Sequence, residues 1–121
     1  MKITTFDPLI YTSRSEEIIK LFEALGFEQH HHNQENENRN STRMKNEGGF
    51  HVDIVQNGEL KQDITLIRMN VDNFDEARDI LASHGFKEGP RMYDAETSKS
   101  MGMISPSGFI IGLIEHKKDH E

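Results

Sequence analysis

Apolar residues fall in short runs between polar stretches, and the period within the runs changes along the chain. Ile3 to Thr12 is rich in β-branched residues and predicts a strand. Ser13 and Ser15, with Glu16 and Glu17 behind them, predict a helix start, because a hydroxyl cap and early carboxylates suit the positive end of the helix dipole. Ile18, Ile19, Leu21, Phe22 and Leu25 then recur at helical spacing, and Gly26 closes the helix as a left-handed cap. Phe27 to His32 reads as a second strand, and the wholly polar Asn33 to Asn40 as a loop. Strands follow over about 41–46 and 50–56, turning at Gly48 and Gly49.

After a break at Asn57 to Glu59 the order repeats. Ile64 to Val71 predicts a strand, and Asp72 or Asn73 caps a helix with Asp75 and Glu76 in its first turn. Ala77, Ile80 and Leu81 form its apolar face and Gly85 ends it. Phe86, Met101 to Ile104 and Phe109 to Glu115 supply the remaining strands, with a polar loop from Asp94 to Lys99. One ungapped offset of 59 residues superposes the halves, carrying Gly26-Phe27 onto Gly85-Phe86 and Gly49-Phe50 onto Gly108-Phe109. It also pairs Glu17 with Glu76 and Met44 with Met103. The matches sit at helix starts, caps and turns, where backbone geometry limits residue choice, so the chain is an internal repeat of strand–helix–strand–strand–strand.

Composition narrows the function without naming it. Hydrophobic residues make up 34% of 121, which fits one domain of two small modules, about 3–57 and 60–116. A net charge of −7 argues against nucleic acid and anionic membranes, which need clustered Lys and Arg. The absence of Cys excludes disulfides, thiolate nucleophiles and Cys-ligated metals. With no apolar run of about 18 residues and no signal-like start, a cytoplasmic protein is expected.

Three segments carry a resemblance. Leu21-Phe22-Glu23-Ala24-Leu25-Gly26-Phe27, Val71-Asp72-Asn73-Phe74-Asp75 and Ser105-Pro106-Ser107-Gly108-Phe109-Ile110-Ile111-Gly112 occur in order within the two-fold repeat. They resemble the "FYxxLGF", "VdDld" and "DPdGnxiE" motifs of the vicinal oxygen chelate superfamily, which includes glyoxalase I, extradiol dioxygenases and bleomycin resistance proteins. The resemblance implies an α+β fold of two βαβββ modules, whose eight strands form a cup-shaped mixed sheet with the helices outside.

The resemblance also implies where a metal would be held, on the first and last strand of each module. Those positions read Asp7, Asp53, Leu66 and Gly112. Leu has no donor atom and Gly no side chain, so the usual metal site is expected to be absent and no cofactor is expected.

Strand alternation then sorts the side chains. With Asp7 and Asp53 facing the cup, so do Leu9, Tyr11, His51, Val55, Leu66, Arg68, Asn70, Ile110 and Ile114. The opposite parity, which includes Ile10, Phe50, Val52, Ile54, Met69, Val71, Phe109, Ile111 and Leu113, is almost purely apolar and should pack beneath the helices. Asp7, Tyr11, His51, Asp53, Arg68 and Asn70 are therefore the candidate ligand-binding residues. Arg68 could anchor a carboxylate or phosphate, or could neutralise Asp7 or Asp53. His51 and Asp53, two apart on one strand, could act as base and orienter, or could line the cup without chemistry.

His30 and His32 share a strand face and could chelate a divalent metal only with a third ligand. Met101 and Met103 could line an apolar pocket or fill core. No phosphate-binding glycine loop or serine nucleophile elbow is present. The expected function is small-molecule binding of the glyoxalase/bleomycin-resistance type without the metal, in a homodimer. One alternative is a lyase or isomerase using Asp7, His51 and Asp53; another is a regulatory or interaction module with a vestigial cup.

Overall fold

The computed structural model describes residues 1–33, 41–89 and 98–116; of 31–33 and 98 it describes the backbone alone. The loop expected at Asn33 to Asn40 falls outside this set apart from Asn33, as do residues 94–97 of the second loop. The described elements are β1 (Ile3–Thr12), α1 (Ser15–Ala24), β2 (Glu28–Asn33), β3 (Ser41–Lys45), β4 (His51–Gln56), β5 (Ile64–Val71), α2 (Phe74–Ser83), β6 (Lys87–Glu88), β7 (Ser98–Ile104) and β8 (Ile110–His116). The strands form an eight-stranded mixed sheet in the order β2-β3-β4-β1-β5-β8-β7-β6. The pairs β1–β4 and β5–β8 are parallel, whereas β2–β3, β3–β4, β6–β7 and β7–β8 are antiparallel. This is the α+β arrangement of two βαβββ repeats.

The chain divides into two compact units, Asp7–Thr65 and Met1–Phe6 with Leu66–Glu121. The start of β1 thus belongs to the later unit, where the Lys2 N–H donates to Asp72 Oδ1 at 2.7 Å and Asp72 N–H returns a bond to Lys2 O at 3.1 Å.

In the Asp7–Thr65 unit, Met44, Val52 and Ile54 are buried and Ile10, Ile18, Ile19, Phe22 and Phe27 pack against them. In the other unit, Met69, Val71, Phe74, Ala77, Met103, Ile111 and Leu113 form the core, flanked by Leu81, Phe86 and Met101. The apolar parity therefore lies under the helices. Met101 and Met103 belong to this core, opposite Leu113 and Ile111 in the register, and do not line a ligand wall.

Two aromatic residues depart from the alternation. Phe50 is 69% exposed and Phe109 50% exposed, so neither lies under a helix. Both sit one residue before their strand, just after Gly49 and Gly108, whose φ angles are +88° and +100°. The turn breaks the pleat, so a period of two cannot be carried back to them.

The helix starts also combine local and distant signals. Asn73 caps α2 as expected, its Oδ1 accepting from Glu76 N–H at 3.1 Å. At α1 neither serine caps; the N-cap is Arg14, which makes no side-chain cap bond. The N–H of Ser15 instead donates to Gln56 Oε1 at 2.9 Å, and the N–H of Phe74 donates to Glu115 Oε1 at 2.7 Å. Gln56 and Glu115 are repeat mates at the ends of β4 and β8, so each module closes its helix N-terminus from its last strand. Gly26 and Gly85, at φ +100° and +92°, close the helices at their other ends.

Candidate functional site

In the Asp7–Thr65 unit, the sheet face away from α1 carries the polar side chains. Parallel pairing sets Leu9 beside Asp53 and Tyr11 beside Val55. Antiparallel pairing sets Ser41, Arg43 and Lys45 opposite Val55, Asp53 and His51. Met44, between Arg43 and Lys45, points to the helix-side core, so the β3 cations belong to the polar face.

Asp7 and Asp53 are buried, with 5% and 4% exposure. Arg43 Nε donates to Asp53 Oδ1 at 2.8 Å and Arg43 Nη2 to Asp53 Oδ2 at 3.2 Å. This fork-to-fork geometry is the strong form of a charge-assisted pair. Hydrogen bonding to Asp53 is the largest influence raising the pKa of Arg43; burial opposes it, and the charges of Asp53 and Asp7 add to it. The alternation offered Arg68 as counter-ion for Asp7 or Asp53; at Asp53 that place is taken by Arg43. The missed signal was the parity of β3, where Met44 fixes the facing of Arg43 once its core role is known.

His51 is half-buried, and its pKa is lowered from the ordinary histidine value. Burial is the main cause, the cations Arg43 and Lys45 act in the same direction, and Asp53 opposes them. The rings of His30 and His51 lie 6.5 Å apart. The β2–β3 register shifts between Gln29 and His31, which interrupts the alternation expected to place His30 and His32 on one face. The side chain of His32 lies outside the described residues.

In the other unit, Leu66 and Asn70 are buried and Arg68 is half-buried, its Nε donating to Asn70 Oδ1 at 3.3 Å. Arg68 pairs with Gly112 on β8, and Gly112 pairs with Gly102 on β7. Gly112 and Gly102 are the repeat mates of Asp53 and Arg43, so an ion pair in one module corresponds to bare backbone in the other.

Leu66 and Gly112 offer no side-chain donor, and the oxygens of Asp53 accept from Arg43. Among the described residues, no three His, Asp or Glu side chains are grouped to hold a metal ion. No helix among them is long and apolar enough to cross a membrane.

No protein-family model matches the chain, and no curated protein matches it. Solved structures do. Methylmalonyl-CoA epimerase from Mycobacterium tuberculosis superposes with a TM-score of 0.67 at 14% identity, covering 96% of this chain and 90% of that one. A glyoxalase/bleomycin resistance protein/dioxygenase superfamily member from Vibrio splendidus 12B01 gives 0.60 at 14% identity, covering 94% and 99%. The Mn(II)-bound glyoxalase from Novosphingobium aromaticivorans gives 0.53 at 14% identity, covering 99% of this chain and 43% of that one. With the repeat, the strand order and these likenesses together, the chain has the vicinal oxygen chelate fold.

Proposed function

We propose that this protein binds a small molecule on the polar sheet face without a resident metal, as a homodimer in the cytoplasm. The observation that carries the reading is the Arg43–Asp53 fork. Asp53, where the resemblance implies a metal ligand, is neutralised by a guanidinium belonging to the chain. A buried carboxylate needs a partner, and Arg43 supplies a fixed positive charge that no chelator removes. Within the Asp7–Thr65 unit, Leu9 and Val55 contribute buried apolar surface, while Tyr11 and His51 offer hydrogen-bonding groups. Apolar surface with a few placed polar groups is the usual composition of a ligand site. The absence of Cys, the acidic charge and the lean apolar count support the location and the dimer.

The test begins with protein purified without a metal-affinity step. Elemental analysis should find no stoichiometric divalent metal, and a thermal-shift screen in a chelator should find a stabilising aromatic, cationic or carboxylate ligand. Stoichiometric metal that disappears in Asp53→Ala would instead establish the lyase or isomerase reading.

A further inference from the structure

We infer that His30, Lys45 and His51 form a subsite for a small hydroxylated anion, a carboxylate or phosphate carried on a polar body. The inference rests on the ligand-binding reading above and names its ligand class.

Three observations lead to it. First, Lys45 and His51 are directly opposed across the β3–β4 ladder, and the His51 ring lies 6.5 Å from that of His30. An ammonium and two imidazoles from three strands thus converge in one place. Second, Arg43 is already committed to Asp53, whereas Lys45 makes no ion pair among the described residues. This leaves the Lys45 ammonium and the imidazole N–H groups of His30 and His51 as donors for a ligand. Third, a cavity of about 440 Å³ opens here, lined by His30 and Lys45 together with Glu28, Gln29, Asn46 and Glu47.

The lining chooses the body of the ligand. It contains no large apolar side chain, so a hydrocarbon or aromatic body would bury little surface there. Gln29 and Asn46 can donate and accept, and the carboxylates of Glu28 and Glu47 can accept from hydroxyl groups. Lys45 supplies a point charge, and each imidazole an N–H, to the anionic end. Glu28 is the cross-strand partner of Lys45 on β2, so it competes with a bound anion for the ammonium.

The experiment is calorimetric titration of the full chain in chelator with glycerol 3-phosphate, glycerate, inorganic phosphate and neutral glycerol. Glycerol 3-phosphate or glycerate should bind, inorganic phosphate more weakly, and glycerol not at all. Whether the phosphate or the carboxylate compound binds tighter identifies the anion source. Lys45→Gln should weaken binding at least about tenfold with an unchanged melting temperature, and Glu28→Gln should tighten it about threefold. Absence of binding by both anions, binding of glycerol as tightly as its phosphate, or an affinity indifferent to Lys45→Gln overturns the subsite. If an aromatic or cationic ligand still binds in chelator, only the subsite falls and the ligand-binding reading stands. If nothing in the broader screen binds, both fall.

Discussion

Arg43 grips Asp53 by two parallel hydrogen bonds, Nε to Oδ1 at 2.8 Å and Nη2 to Oδ2 at 3.2 Å, with the aspartate side chain 6% exposed. Removing one partner strands a buried charge, which is far costlier than removing both. Arg43→Ala should therefore lose about 3 kcal/mol in urea unfolding, while Arg43→Met with Asp53→Leu should recover most of it. A loss of less than about 0.5 kcal/mol in the single variant would class the pair with ordinary surface bridges.

Phe50 and Ile54 test which parity forms the core. Ile54 is fully buried and Phe50 is 69% exposed. Ile54→Ala should cost about 3 kcal/mol, and Phe50→Ser should stay within about 0.5 kcal/mol of the parent. Equal losses on thermal unfolding would contradict this placement.

The N-terminus of α1 takes its cap from β4. Gln56 accepts from Ser15 N–H at 2.9 Å and its Nε2 donates to Ser13 O at 3.0 Å. Gln56→Leu should lose about 1 kcal/mol, comparable with Asn73→Ala at α2. Ser15→Ala should change stability little, since its backbone, and not its hydroxyl, makes the bond. A large loss in Ser15→Ala with none in Gln56→Leu would reverse the assignment.

The His51 ring should titrate below the ordinary histidine value of about 6.5, chiefly through burial, then through Arg43 and Lys45. Lys45→Gln should move the midpoint upward, as read from the ring-proton NMR shifts against pH. The folded value is depressed, so the unfolded chain binds the proton more readily. The His51 contribution to stability is complete above the unfolded value and shrinks as pH falls through it toward the folded value. A midpoint at or above 6.5 in the parent, or one unmoved by Lys45→Gln, would contradict this account.

Much of the fold was legible because local chemistry repeats at a fixed offset. Gly26 and Gly85, and Gly49 and Gly108, all adopt positive φ, a requirement written into residue choice at single positions. Asn46 and Ser105 recur likewise, each side-chain oxygen accepting from the N–H four residues on, at 3.0 and 2.9 Å. The helix-side parity was legible too, since a half-buried strand alternates with a period of two.

What the sequence by itself determined was therefore the repeat, the elements and most of the core face. Each is encoded in residue type or in spacing along one stretch of chain. The tertiary structure decided the partner of Asp53, the cap of α1, the exposure of Phe50 and the convergence of His30, Lys45 and His51. Those depend on strand register, on a bulge in β2 and on where a turn ends a strand. The physical reason is that alternation fixes which way a side chain points, whereas its neighbours are set by pairing between segments distant in sequence.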